Sequence, residues 1–208
     1  VAIYDVTLPI STALAGWPGD ASYRFDWTCT KAGGASVNVG QLSCSIHTGT
    51  HIDAPYHFDD SGATTDRLRL EPYLGPARVI DRTGLSAIGR VDLTDVKLEG
   101  TPRLLIRTGR WKDHNRFPET IPVLAEDVPA YLAERGVVLV GLDVPSMDVL
   151  DSKTLPVHHA LARHGIAILE SLDLSAVPEG VYELIALPLK LVGADGSLVR
   201  AVLRTVSA

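Results

Sequence analysis

At 208 residues the chain is long enough to bury a core without covalent staples, and one domain over 1–208 accounts for its length. Hydrophobic residues make up 46% and charged residues 21%, a composition that excludes a disordered chain. A formal charge of −6 argues against nucleic acid or an anionic membrane as partner, since both require basic surface.

Read in chain order, the N-terminal VAIYDVTLPI has no basic region ahead of an apolar run, so no signal peptide is expected. Apolar stretches elsewhere break too soon to span a bilayer. The first strand is predicted at Ile3–Leu8, followed by a Gly- and Asp-rich loop at Gly16–Ser22 that can border a site. A second strand is predicted at Gln41–His47 and a second such loop at Phe58–Thr65. Strands at Ala77–Asp81 and Arg103–Arg107 enclose a weaker helical stretch at Thr94–Leu98. Helices are predicted at Ala125–Arg135, ended by Gly136, and at Pro156–His164, ended by Gly165. Further strands are expected at Val137–Asp143, Ile166–Leu169, Tyr182–Leu189 and Leu198–Val206. The fold class is therefore mixed α/β, rich in strand, with curved sheets and peripheral helices. No Gly-x-Gly-x-x-Gly or Walker pattern is present, which disfavours a nucleotide cofactor. Two cysteines, Cys29 and Cys44, suit reduced thiols and a cytoplasmic location, with Cys44 expected as a buried apolar residue.

The chemistry concentrates between Gln41 and Phe58. From Leu42 the even positions Leu42, Cys44, Ile46 and Ile52 are apolar, while Ser43, Ser45, His47, His51 and Asp53 are polar. Period-two alternation predicts a strand with one face in the core and three metal-ligand side chains on the other. A helix would point Asp53 away from His47 and His51, and Gly49 and Pro55 both oppose one. Two imidazoles and a carboxylate suit zinc, and manganese or iron would be tolerated. His57 keeps the same parity. A second cluster follows Asp151 and holds His158, His159, His164 and Glu170. Glu170 ends an apolar run, so burial would demand a cationic partner, either an arginine or a metal ion. The pattern alone does not choose between them, nor between His158 and His159.

The run His47-Thr-Gly-Thr-His51-Ile-Asp53-Ala-Pro-Tyr-His57-Phe resembles the H-x-G-T-H-x-D-x-P-x-H-F signature of the metal-dependent, cyclase-like hydrolases. The segments Gly141–Asp148, Asp151–Leu161 and Tyr182–Lys190 are similar to the bacterial kynurenine formamidases within that family, and Gly16-Trp-Pro-Gly-Asp20 extends the match. The resemblance implies a β/β/α fold, often paired into homodimers, and hydrolysis of N-formyl-L-kynurenine to L-kynurenine and formate. A relative opening another amide, such as isatin, is the competing member of the same family. The resemblance further implies two zinc ions per subunit, the first held by His47, His51 and Asp53. Asp53 would bridge to a second ion completed by His158 and Glu170, leaving His159 as a neighbour. His57 falls at the family's acid/base position and Trp17 at a substrate-contacting one.

Overall fold

A computed structural model describes residues 1–206. The strands are β1 (Ile3–Asp5), β2 (Arg24–Cys29), β3 (Val39–Ser43), β4 (His51–Asp53), β5 (Leu74–Asp81), β6 (Ala87–Ile88), β7 (Arg103–Arg107) and β8 (Val123–Leu124). They are followed by helix α1 (Val128–Glu134), β9 (Leu139–Leu142), helix α2 (Pro156–Arg163), β10 (Ala167–Glu170), β11 (Gly180–Ile185), β12 (Gly196–Leu198) and β13 (Val202–Thr205).

Nine strands form one sheet in the order β1-β13-β11-β5-β7-β9-β10-β4-β12. The centre, β5-β7-β9-β10, is parallel, and antiparallel strands extend it on both sides. Central parallel strands are covered on both faces, so they read as continuous apolar runs. Leu104, Ile106, Val140, Leu142 and Ile168 face one core with Val128, Leu132, Val157 and Leu161 of the two helices. Leu105, Leu139 and Leu169 face the other, into which the curled sheet also turns Ile52, Leu184 and Leu203. Gly141 belongs to the second face; a Cβ there would meet Leu105 Cδ2 at 2.6 Å and Leu172 Cδ1 at 2.9 Å, so that layer is full.

Both helices end where the sequence indicates, at Gly136 (φ +73°) and Gly165 (φ +68°). Helix α1 is shorter than Ala125–Arg135 because Pro129 sits in its first turn and residues before Val128 form a turn. Thr94–Leu98 is not helical. The helical turn lies just ahead of it, a 3₁₀ segment at Arg90–Leu93, where the Gly89 N–H donates to Asp92 Oδ2. The expected strand Leu198–Val206 is two strands, because the chain leaves β4 after Leu198 and joins β1 and β11 from Val202.

The strand expected at Gln41–His47 stops at Ser43, and the period-two argument fails with it. Strand β3 pairs with β2 in a separate two-stranded arm whose residues are almost all exposed. From Cys44 to Thr50 the chain turns, with Thr48 N–H donating to Ser45 O and Gly49 at φ +65°. Leu42 is consequently exposed and Cys44 half-buried, not a core residue; Cys29 and Cys44 are both free thiols. Among the described residues no helix is long and apolar enough to cross a membrane.

Candidate metal centre

Strand β4 carries the site. Ile52 points into the core, so His51 and Asp53 share the opposite face. In the antiparallel register His51 lies directly across from Glu170 of β10, which delivers that carboxylate to the same face. On the other side Gly196 of β12 lies across from Asp53. A Cβ at Gly196 would meet His47 Cε1 at 2.8 Å, so glycine there makes the space that the turn from Cys44 fills with His47. Helix α2 brings His158 over the same carboxylates, and His57 follows on a short 3₁₀ turn started by Pro55.

Three groups result, His47–His51–Asp53, Asp53–His158–Glu170 and His47–His57–Asp195, and Asp53 is common to the first two. His51 Nε2 stands 3.4 Å from Asp53 Oδ1 and 3.6 Å from Glu170 Oε2. His158 Nε2 stands 3.5 Å from Asp53 Oδ2 and 3.4 Å from Glu170 Oε1. Donors held about 2.1 Å from one tetrahedral ion lie about 3.4 Å apart, whereas hydrogen-bonded pairs are closer. The three separations within a group match those between ligands of one ion, and the set fits divalent ions. Glu170, only 3% exposed, meets histidines and the Met147 N–H (3.0 Å); among the described ion pairs no arginine or lysine reaches it.

The other ring nitrogens are occupied. His51 Nδ1–H donates to Gly49 O (2.8 Å) and His158 Nδ1–H to Asp148 Oδ2 (2.6 Å), which turns each Nε2 toward the carboxylates. Asp148 also accepts the backbone N–H groups of Val157 and His158, so one carboxylate caps α2 and fixes its histidine. His47 differs: Nδ1 meets Asp53 Oδ1 and Nε2 meets Asp195 Oδ2, each at 3.0 Å. Burial opposes its charge, but Asp53 and then Asp195 outweigh this and raise its pKa to about 9. Burial likewise pushes Asp53 upward, yet the imidazoles of His158, His47 and His51 around it hold it well below the usual carboxylate range. The same balance, with Asp148, Asp53 and Glu170 as partners, holds His158 well above its ordinary value.

Asp195 links the metal face to His57, whose Nδ1 lies 3.3 Å from the carboxylate oxygen that His47 meets. His57 and Trp17 both line a cavity of about 260 Å³ that opens onto His51, His158 and Glu170. Every sequence-derived site residue is thus brought to one place. His159 is not among the clustered groups and packs edge-on to Phe58 at 5.3 Å. Sequence reasoning missed Asp148 and Asp195. The first is quoted within a similar segment without a role, and the second reads as a turn acid in Gly193-Ala-Asp-Gly196. Two residues at the cavity, Leu155 and Ser171, hold φ of 43° and 56°, conformations that cost non-glycine residues free energy and cluster at functional sites.

The family model for Cyclase matches residues 4–149. Kynurenine formamidase of Bacillus mycoides (strain KBAB4) is 50% identical over 202 residues, 97% of each chain. The solved structure of a potential metal-dependent hydrolase with cyclase activity superposes with a TM-score of 0.82 at 32% identity, over 97% of this chain and 96% of that one. Isatin hydrolase A from Labrenzia aggregata reaches the same TM-score at 23% identity, over 97% and 93%, and shares the fold.

Proposed function

The chain belongs to the Cyclase family and is a hydrolase, and from that premise we propose that it cleaves N-formyl-L-kynurenine to L-kynurenine and formate. The observation that carries this reading is the near full-length likeness to a kynurenine formamidase. Isatin hydrolase stands at less than half that identity, which places a ring-opening amide substrate second.

In this reading His47, His51 and Asp53 hold one zinc ion, and Asp53, His158 and Glu170 hold a second. Bound divalent ions supply Lewis acidity and a water acidified to near neutrality. Asp148 and the Gly49 carbonyl keep His158 and His51 in the tautomers that present Nε2. Asp195 orients His57 by its Nδ1, so Nε2 is the atom that takes a proton and returns it to the arylamine nitrogen. That transfer matters because an amide anion is a poor leaving group. Trp17 lies against the aryl part of the substrate. The protein works as a homodimer, a reading supported by the β2–β3 arm, whose apolar Phe25, Trp27 and Leu42 are exposed, and in the cytoplasm, which its two free thiols suit.

The test is formate release from N-formyl-L-kynurenine by purified protein, before and after chelation and after zinc is restored. Activity lost to the chelator and recovered with zinc supports the reading; unaltered activity in chelator, or isatin as the better substrate, overturns it.

A further inference from the structure

The cavity has an aromatic side that the sequence showed only in part. Trp17, Trp111 and Phe117 all line it. Trp111 is 7% exposed, and its indole N–H is shared by the carbonyls of Asp113 (3.2 Å) and Arg116 (2.9 Å). This fixes the segment after β7. Phe117 stands edge-on to Trp111, with centroids 6.2 Å apart, and edge-on to Trp17, at 5.2 Å and 73°. The two loops are tied again by the Ala15 N–H, which donates to His114 O at 2.8 Å. Trp111 is thus an anchor, Phe117 rests on it, and Trp17 rests on Phe117.

Trp17 and Phe117 are only half-buried and still present apolar ring area to the cavity. Their centroids are too close for a third ring to enter between them, since stacking on both faces needs about 7 Å. Standing edge-on, they form one L-shaped wall.

We propose that Phe117 is a specificity-determining residue: with Trp17 it forms the wall against which the aryl ring of the substrate is seated. The proposal rests on the aryl-formamide reading above and adds to it the residue that selects an aryl over an alkyl amide. Phe117 acts on binding, so its removal should appear in affinity for aryl ligands and in KM more than in kcat.

The experiment uses zinc-loaded protein and two unreactive amides, acetanilide and N-methylacetamide, with calorimetric binding to wild type, Phe117→Ala and Phe117→Leu. Acetanilide should weaken about tenfold in Phe117→Ala and roughly threefold in Phe117→Leu, which keeps bulk but loses the edge-on contact. N-methylacetamide should stay within about twofold, because it has no ring to seat. Unchanged acetanilide affinity in both variants, or equal losses for both amides, overturns the proposal. Phe117→Leu decides alone where Phe117→Ala fails to fold. Wild type that binds acetanilide with this discrimination, yet releases no formate from N-formyl-L-kynurenine, overturns the proposed function and leaves the wall standing.

Discussion

The histidines around Asp53 divide into those whose second nitrogen is satisfied by the fold and one that is not part of a metal group with Asp53. His57 belongs to the latter kind, half-exposed beside Asp195. Its replacement by alanine should leave bound metal unchanged while turnover falls about 10²- to 10⁴-fold. Metal analysis beside a formate assay reads both, and loss of metal would remove His57 from the acid/base role. Asp148 touches no reacting group but holds His158 Nδ1. Asp148→Asn should weaken metal affinity about 10- to 100-fold, measured by competition with a chelator. His47, His51 and Asp53 were legible in sequence because they lie within seven positions of one another. Asp148 and Asp195 were not, since what makes each matter is a histidine that only the tertiary fold brings alongside.

At the level of elements, the site depends on β4 being inserted between β10 and β12. The alternation of His51, Ile52 and Asp53 was readable, and it holds over those three residues. Its extension back to Leu42 failed because local periodicity does not distinguish one long strand from a short strand, a turn at Gly49 and an exposed arm. The close approach of β12 is testable. Gly196→Ala would place a Cβ 2.8 Å from the His47 ring and 2.9 Å from the Ile52 carbonyl. It should destabilise the fold by about 1–3 kcal/mol and lower metal content, read by thermal melting and metal analysis.

Strands β5 and β7 carry a second testable contact at their ends. Hydrogen bonds from Thr83 and the Arg107 ion pair hold the Asp81 pKa at about 2, against its partial burial. An unfolded aspartate titrates near 3.9, so this group contributes stability above roughly pH 4 and loses it as pH falls through about 2. The melting-temperature gap between wild type and Asp81→Asn should therefore narrow from pH 5 to pH 2.5; a gap constant with pH would contradict the pairing.

On the scale of the whole molecule, the mixed α/β class and the peripheral helices were readable from apolar runs and glycine stops. The strand order was not, because β12 and β13 lie beside β4 and β1 only after the sheet curls. The β2–β3 arm has one apolar side, with Phe25 directly across from Leu42 and its ring over Gly40. Two-stranded ribbons are marginal alone in water, so this side calls for cover, and a second copy is the proposed one. Trp27→Arg should shift the protein from dimer to monomer in analytical ultracentrifugation while the monomer's melting stays cooperative. A dimer unaffected by that change would place the interface elsewhere.

Asp53 faces histidines from three directions, and the residues gathered on it come from the turn after Cys44, from β4, from α2 and from β10. Ions held there would act as cross-links between the two ends of the chain's course through the sheet, closing loops between residues near 50 and residues near 160 and 170. Such closures restrict the unfolded ensemble only while the ion stays bound, so they resemble disulfides that can be removed at will. In a chain with two free thiols such ions would serve as reversible staples, and its resistance to unfolding would follow how much metal its surroundings offer.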